Sequence, residues 1–124
     1  MDRTAPSEIK FRKKARLLEL RFNEAVFSLE SELLRVLSPS AEVKGHGNPV
    51  LQTGKKNVTI TAIEPVGNYA IKLIFDDGHS TGIYDWGYLY DLCINKDRYW
   101  GEYLAEMHSA NASRDPNASV VQLL

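Results

Sequence analysis

The spacing of apolar positions switches along the chain between every second residue and every third or fourth, and each switch marks a boundary between elements. Glu8 to Lys14 alternates, with Ile9 and Phe11 set against Lys10 and Arg12, as a half-buried strand should. Lys13-Lys14-Ala15 makes a charged turn, and Arg16 to Phe22 resumes the alternation through Leu18, Leu20 and Phe22. After the turn signal Asn23-Glu24, Ala25 to Leu29 completes a meander of short antiparallel strands. The period then lengthens. Leu33, Leu34, Val36 and Leu37 predict a short amphipathic helix, stopped at Ser38-Pro39 because a residue before proline disfavours helical geometry.

Ser40 to Lys56 is rich in Gly, Pro, Asn and Lys, with Gly45-His46-Gly47-Asn48-Pro49 at its centre, and predicts a long loop of the kind that carries function. Strand spacing returns from Asn57 to Ile63 and is broken by Pro65 and Gly67-Asn68. A hairpin follows. Tyr69 to Phe75 forms its first strand, and Asp77-Gly78 supplies a two-residue turn. In that register Asp76 faces His79 and Ile71 faces Tyr84, which puts Tyr69, Ile71, Leu73, Phe75 and Tyr84 on one face.

Asp85 stands at an N-cap position before Trp86, Leu89 and Cys93, which share a face of a short helix. Tyr99, Trp100, Tyr103, Leu104 and Met107 define a longer helix with Asp97 near its start. The fold class is therefore α+β: small antiparallel sheets, a meander and a hairpin, with one short helix and a C-terminal helix packed on the sheet. Residues 1–7 read as a flexible tail, 8–108 as a single domain, and 109–124 as a disordered, mostly polar tail.

Composition narrows the function classes. With 15 basic and 16 acidic residues in 124, no global field argues for nucleic acid or membrane as partner. Lys10, Arg12, Lys13, Lys14, Arg16 and Arg21 do crowd the first strands, where outward charges keep an edge soluble. The one cysteine, Cys93, excludes an internal disulfide and a cysteine-rich metal site, and its helix face places it in the core. No apolar run approaches the roughly 20 residues of a membrane span and no signal-peptide core is present, so a cytoplasmic protein is expected.

The familiar catalytic patterns fail. Gly54-Lys55 resembles the end of a phosphate loop, but Pro49 and Lys56 fall where glycine and a hydroxyl residue are needed. His46, His79 and His108 are followed two positions on by Asn48, Thr81 and Ala110, so the His-x-carboxylate pair of an iron oxygenase is missing. No Gly-x-Ser-x-Gly nucleophile elbow occurs. What remains is His79 beside Asp76 or Asp77, where a carboxylate can orient an imidazole, and His46 between two glycines.

The stretches Ser38-Pro-Ser-Ala-Glu-Val-Lys-Gly-His-Gly47, Leu51-Gln-Thr-Gly-Lys55, Ile60-Thr-Ala-Ile-Glu-Pro-Val-Gly-Asn-Tyr-Ala70 and Phe75-Asp-Asp-Gly-His79 through Trp86 resemble the γ-butyrobetaine hydroxylase-like N-terminal domain family. The resemblance covers Glu8 to Leu92 and implies a small α+β unit, found alone in bacteria, at the front of carnitine-pathway oxygenases, or attached to Mrp-type ATPases that handle iron–sulfur clusters. In the oxygenases such a domain carries zinc on a Cys-Pro-Cys-x-x-Cys run and a histidine. Here Ser38, Pro39, Ser40 and Val43 stand on that run and His79 on the histidine, so the resemblance implies a degenerate site without its metal.

The leading expectation is a non-enzymatic binding or adaptor domain without cofactor. Its surface would combine the Ser38–Lys56 loop, with His46 and Lys55, and the tip bearing Asp76, Asp77 and His79. The family's fusions point to an iron–sulfur assembly factor or an Mrp-type ATPase as the protein partner, with the chain itself a monomer or weak dimer. Two other readings compete: a metal-binding protein or metal-dependent enzyme using His79, His46 and Asp76 or Asp77, and a structural module that dimerises through a strand edge.

Overall fold

The computed structural model describes residues 4–117, apart from the side chain of His46. Strands Glu8–Arg12 (β1), Leu17–Phe22 (β2) and Ala25–Glu30 (β3) form an antiparallel sheet in the order β1-β2-β3, the meander expected from the alternation. Across it the basic residues meet acids: Arg12 pairs with Glu19 at 3.2 Å and Arg21 with Glu8 at 3.7 Å. Ser7, assigned above to the tail, already donates its backbone N–H to the Arg21 carbonyl at 2.8 Å.

Helix α1 (Ser31–Val36) follows β3 directly and is buried along its whole length. The long loop is less irregular than its composition suggested. It contains a four-residue helix, α2 (Ala41–Lys44), and a 3-10 turn over Gly45–Gly47. Gly45 takes φ +58°, and its N–H bonds the Ala41 carbonyl, so it ends α2 in the left-handed conformation that glycine adopts without a Cβ penalty.

The second sheet has β4 (Ile60–Val66), β5 (Ala70–Phe75) and β6 (Ile83–Asp85) in that order. Pro65 does not end the strand as the sequence suggested; it lies within β4, opposite Ile71. β4 is an edge strand, where a residue without an N–H can be accommodated. At the base of the β5–β6 hairpin the register is the expected one, with Ile71 opposite Tyr84.

The tip differs. Phe75 N–H bonds the His79 carbonyl at 2.9 Å and Gly78 N–H the Phe75 carbonyl at 3.1 Å, so three residues turn the chain and Gly78 takes φ +90°. His79 thus pairs with Phe75 rather than Asp76, and the one-residue offset is absorbed over Ser80–Gly82, which lies outside both strands. Tyr69 is also displaced from its expected place: it lies in the turn before β5 and is 55 % exposed.

Asp85 accepts from Tyr88 N–H at 2.7 Å and caps α3 (Trp86–Ile94), whose Trp86, Leu89, Leu92 and Cys93 close one continuous core with Leu18, Leu20, Ile71, Leu73 and Phe75. Burial pushes the Cys93 thiol up to about 12, which suits a packing role. Helix α4 (Lys96–Ser109) meets the first sheet at its start, where Lys96 Nζ bonds the Ser28 carbonyl at 3.1 Å. Farther along, Tyr103 and Met107 pack with Val36 of α1.

Residues 109–117 were expected to be disordered. Instead Ser113 and Arg114 carbonyls accept from Gly54 and Lys56 N–H at 2.9 Å each, and Arg114 grips Glu32. Composition concealed this because the segment is fixed by polar partners distant in sequence rather than by apolar burial. Residues 1–3 and 118–124 lie outside the described residues.

Candidate functional site

Helix α1 ends with its last turn aimed at the tip of the β5–β6 hairpin. Arg35, buried in that turn, donates through Nε to Asp77 Oδ2 at 2.8 Å and through Nη1 to Gln52 Oε1 at 3.0 Å. Lys55 donates to the same Asp77 oxygen at 2.8 Å, and the other oxygen accepts the His79 backbone N–H at 3.1 Å. Burial alone would raise the Asp77 carboxyl. The hydrogen bonds from Lys55, His79 and Arg35 and the Arg35 charge outweigh it and hold the group at about 2. One carboxylate therefore joins helix α1, the end of the long loop and the hairpin tip.

A second set of bonds lies beside it. Ser38 Oγ is 2.8 Å and Ser40 Oγ 3.3 Å from His79 Nε2, so both hydroxyls share one imidazole nitrogen. Ser40 occupies the N-cap position of α2 but makes no capping bond with its side chain. Thr81 adds a bond to Glu42 Oε2 at 2.8 Å. The segment passes close enough to need Gly82, where an added Cβ would lie 2.3 Å from Ser38 Oγ. Burial, then the Arg35 charge, lowers the His79 pKa and favours neutral imidazole, which suits bonding to hydroxyls. Behind this corner the Tyr84 and Tyr88 hydroxyls donate to the Leu34 and Leu37 carbonyls at the end of α1, satisfying acceptors that the helix leaves open.

The expected residues are thus brought together in part. Ser38, Ser40 and His79 converge, and Asp77 and Lys55 are bonded to each other. Asp76 turns away, its carboxylate accepting Thr59 N–H at 3.1 Å, while Asp77 bonds the backbone of His79. His46 lies in the 3-10 turn, and its side chain is outside the described part. Among the described residues no three of His, Cys, Asp and Glu gather as a metal would require.

The donor set at the corner does not fit zinc. It offers two neutral hydroxyls and one imidazole, and the remaining position is the isopropyl of buried Val43, which has no lone pair. Nor is the Ser38–His79 pair arranged as a nucleophile and its base on an open surface: Ser38 is 1 % exposed.

Sequence reasoning missed Arg35, Gln52 and Gly82. Arg35 had a signal, being a charge set among Leu33, Leu34, Val36 and Leu37 on a helix with little polar face. Gln52 and Gly82 had none, because what singles them out is proximity across the fold.

No helix among the described residues is long and apolar enough to cross a membrane, and no curated protein matches the sequence. Two solution NMR structures resemble the chain. One is 55 % identical with a TM-score of 0.84, covering 98 % of both chains. The other is 54 % identical with a TM-score of 0.81, covering 99 % of this chain and 95 % of that one. A crystal structure of a protein with unknown function from Acidithiobacillus ferrooxidans, of the DUF971 family, is 38 % identical with a TM-score of 0.62, over 74 % of this chain and 96 % of that one. The model of the γ-butyrobetaine hydroxylase-like N-terminal family matches residues 9–90, the span that builds the corner and the hairpin tip, and the chain belongs to that family.

Proposed function

We propose that this chain is a non-catalytic protein-binding module whose recognition surface is the loop over residues 38–56 fused to the hairpin tip over residues 76–79. The observation that carries the reading is the Asp77 clamp. Segments far apart in sequence are held as one surface by a carboxylate bonded to Arg35, Lys55 and His79. Preorganisation of this kind lowers the entropy cost of association. Polar Glu42, Lys44 and Asn48 and apolar Val50 are exposed on the loop, Val50 to 52 %, and a groove of about 210 Å³ runs beside them between Val43, Leu51, Tyr88 and Glu106. Interfaces commonly set an apolar centre within a polar rim. The partner class is an iron–sulfur assembly factor or an Mrp-type ATPase, as the family's fusions imply.

Calorimetric titration of a purified Mrp-type ATPase with the chain tests this. Val50→Asp is expected to weaken binding at least about tenfold, the cost of placing one desolvated charge in a contact, with an unchanged melting temperature. Unaltered affinity in both Val50→Asp and Asp76→Lys would remove this surface from the account, and turnover of a small molecule by the chain alone would remove the non-catalytic reading.

A further inference from the structure

Outside the corner, a second set of polar contacts surrounds Glu32. Its carboxylate is 4 % exposed, and Arg114 donates to it through Nε and Nη2, both at 2.7 Å, in the two-pronged arrangement of a guanidinium on a carboxylate. The Tyr103 hydroxyl donates to the same carboxylate at 3.0 Å, and the Arg114 guanidinium carbon lies 4.9 Å from the centre of the Trp100 ring. The pocket wall thus supplies an anion, an aromatic face and a hydroxyl, which together select a planar cation over a compact ammonium. Gly54 and Lys56 N–H then hold the carbonyls of Ser113 and Arg114, so the segment carrying the arginine is read by its backbone as well. The arginine itself remains 33 % exposed, at the mouth of the pocket. Trp100, Tyr103 and Arg114 lie beyond the matched residues 9–90, whereas Glu32, Gly54 and Lys56 lie within them.

We propose that Glu32, Trp100 and Tyr103 form an arginine-recognition site, filled here by the chain's own Arg114, which accepts an arginine from a turn-forming segment of a protein partner when Arg114 withdraws. The occupant is fixed by what already sits there: a guanidinium on a backbone bonded to Gly54 and Lys56. Exchange of the segment would also release those two N–H groups, which lie next to Lys55 and its bond to Asp77.

Arg114→Ala in the 124-residue chain removes the guanidinium from Glu32. A synthetic peptide of residues 110–117 is expected to raise its melting temperature saturably, by several degrees, through mass action. The same peptide with lysine in place of arginine should bind at least about tenfold more weakly. Combining Arg114→Ala with Glu32→Gln should abolish the rise. If Arg114→Ala does not fold alone, the far-ultraviolet dichroism regained on adding peptide gives the same reading. The Arg114→Lys variant provides a folded second host, in which the arginine peptide displaces the substituted ammonium side chain. Absence of a saturable gain in either host, or an equal gain with the lysine peptide, overturns the proposal.

Discussion

Replacing Gly82 by alanine is expected to destabilise the fold by about 2–4 kcal/mol, lowering the melting temperature by on the order of 10 °C. The methyl would sit 2.3 Å from Ser38 Oγ, 3.2 Å from the Tyr84 ring and 3.3 Å from Pro39 Cδ. None of the three can yield cheaply. Ser38 is bonded to His79, Tyr84 is fully buried with its hydroxyl on the Leu34 carbonyl, and the Pro39 ring has no free torsion. Gly101→Ala is the matching control, because it lies on the exposed side of α4 with nothing within 4 Å and gains helix propensity. Thermal melts of the two variants decide the matter: Gly82→Ala as stable as the parent would mean that the segment does not press against the corner.

Arg35→Ala is expected to cost about 2–3 kcal/mol, since it deletes one member of a largely buried ion pair and leaves Asp77 and Gln52 short of a donor. The loss is smaller than for a sealed pair because Lys55 and the His79 N–H remain on Asp77. Two titrations accompany it. Asp77 has its folded pKa depressed to about 2, so its contribution is present above the ordinary aspartate value and is lost as pH falls through about 2. Without Arg35 that acid limb should move toward the ordinary aspartate range. His79 is held low by burial first and by the Arg35 charge second, so its imidazole should titrate at higher pH in the variant. Nuclear magnetic resonance of the His79 ring across the acid range checks the second shift, and an unmoved titration would separate Arg35 from the corner.

Much of the framework was legible in the sequence because it depends on local patterns. Alternation placed β1 to β3, and the Asp85 cap and the Trp86, Leu89, Cys93 spacing placed α3, as found. The hairpin base was legible from Asp77-Gly78, whereas the tip was not. A two-residue and a three-residue turn share the same dipeptide, so Asp77-Gly78 alone does not choose between them. Pro65 misled for a related reason, since its tolerance in β4 depends on strand order.

The candidate site divides in the same way. The convergence of Ser38, Ser40 and His79 was legible through resemblance, although the residues themselves carry no motif for it. Of the two acids expected beside His79, Asp77 bonds its backbone N–H, whereas the Asp76 carboxylate accepts Thr59 N–H. Arg114 was assigned to a disordered tail because polar composition alone says nothing of a buried carboxylate waiting in α1.

Hydroxyl-to-imidazole and carboxylate-to-guanidinium bonds, rather than a bound metal, join the loop to the hairpin tip in this account. Elemental mass spectrometry of the untagged, purified chain tests that claim most directly. The account predicts zinc and iron far below one equivalent per chain, in the parent and in His79→Ala alike. A full equivalent of either metal in the parent, lost in His79→Ala, would contradict it.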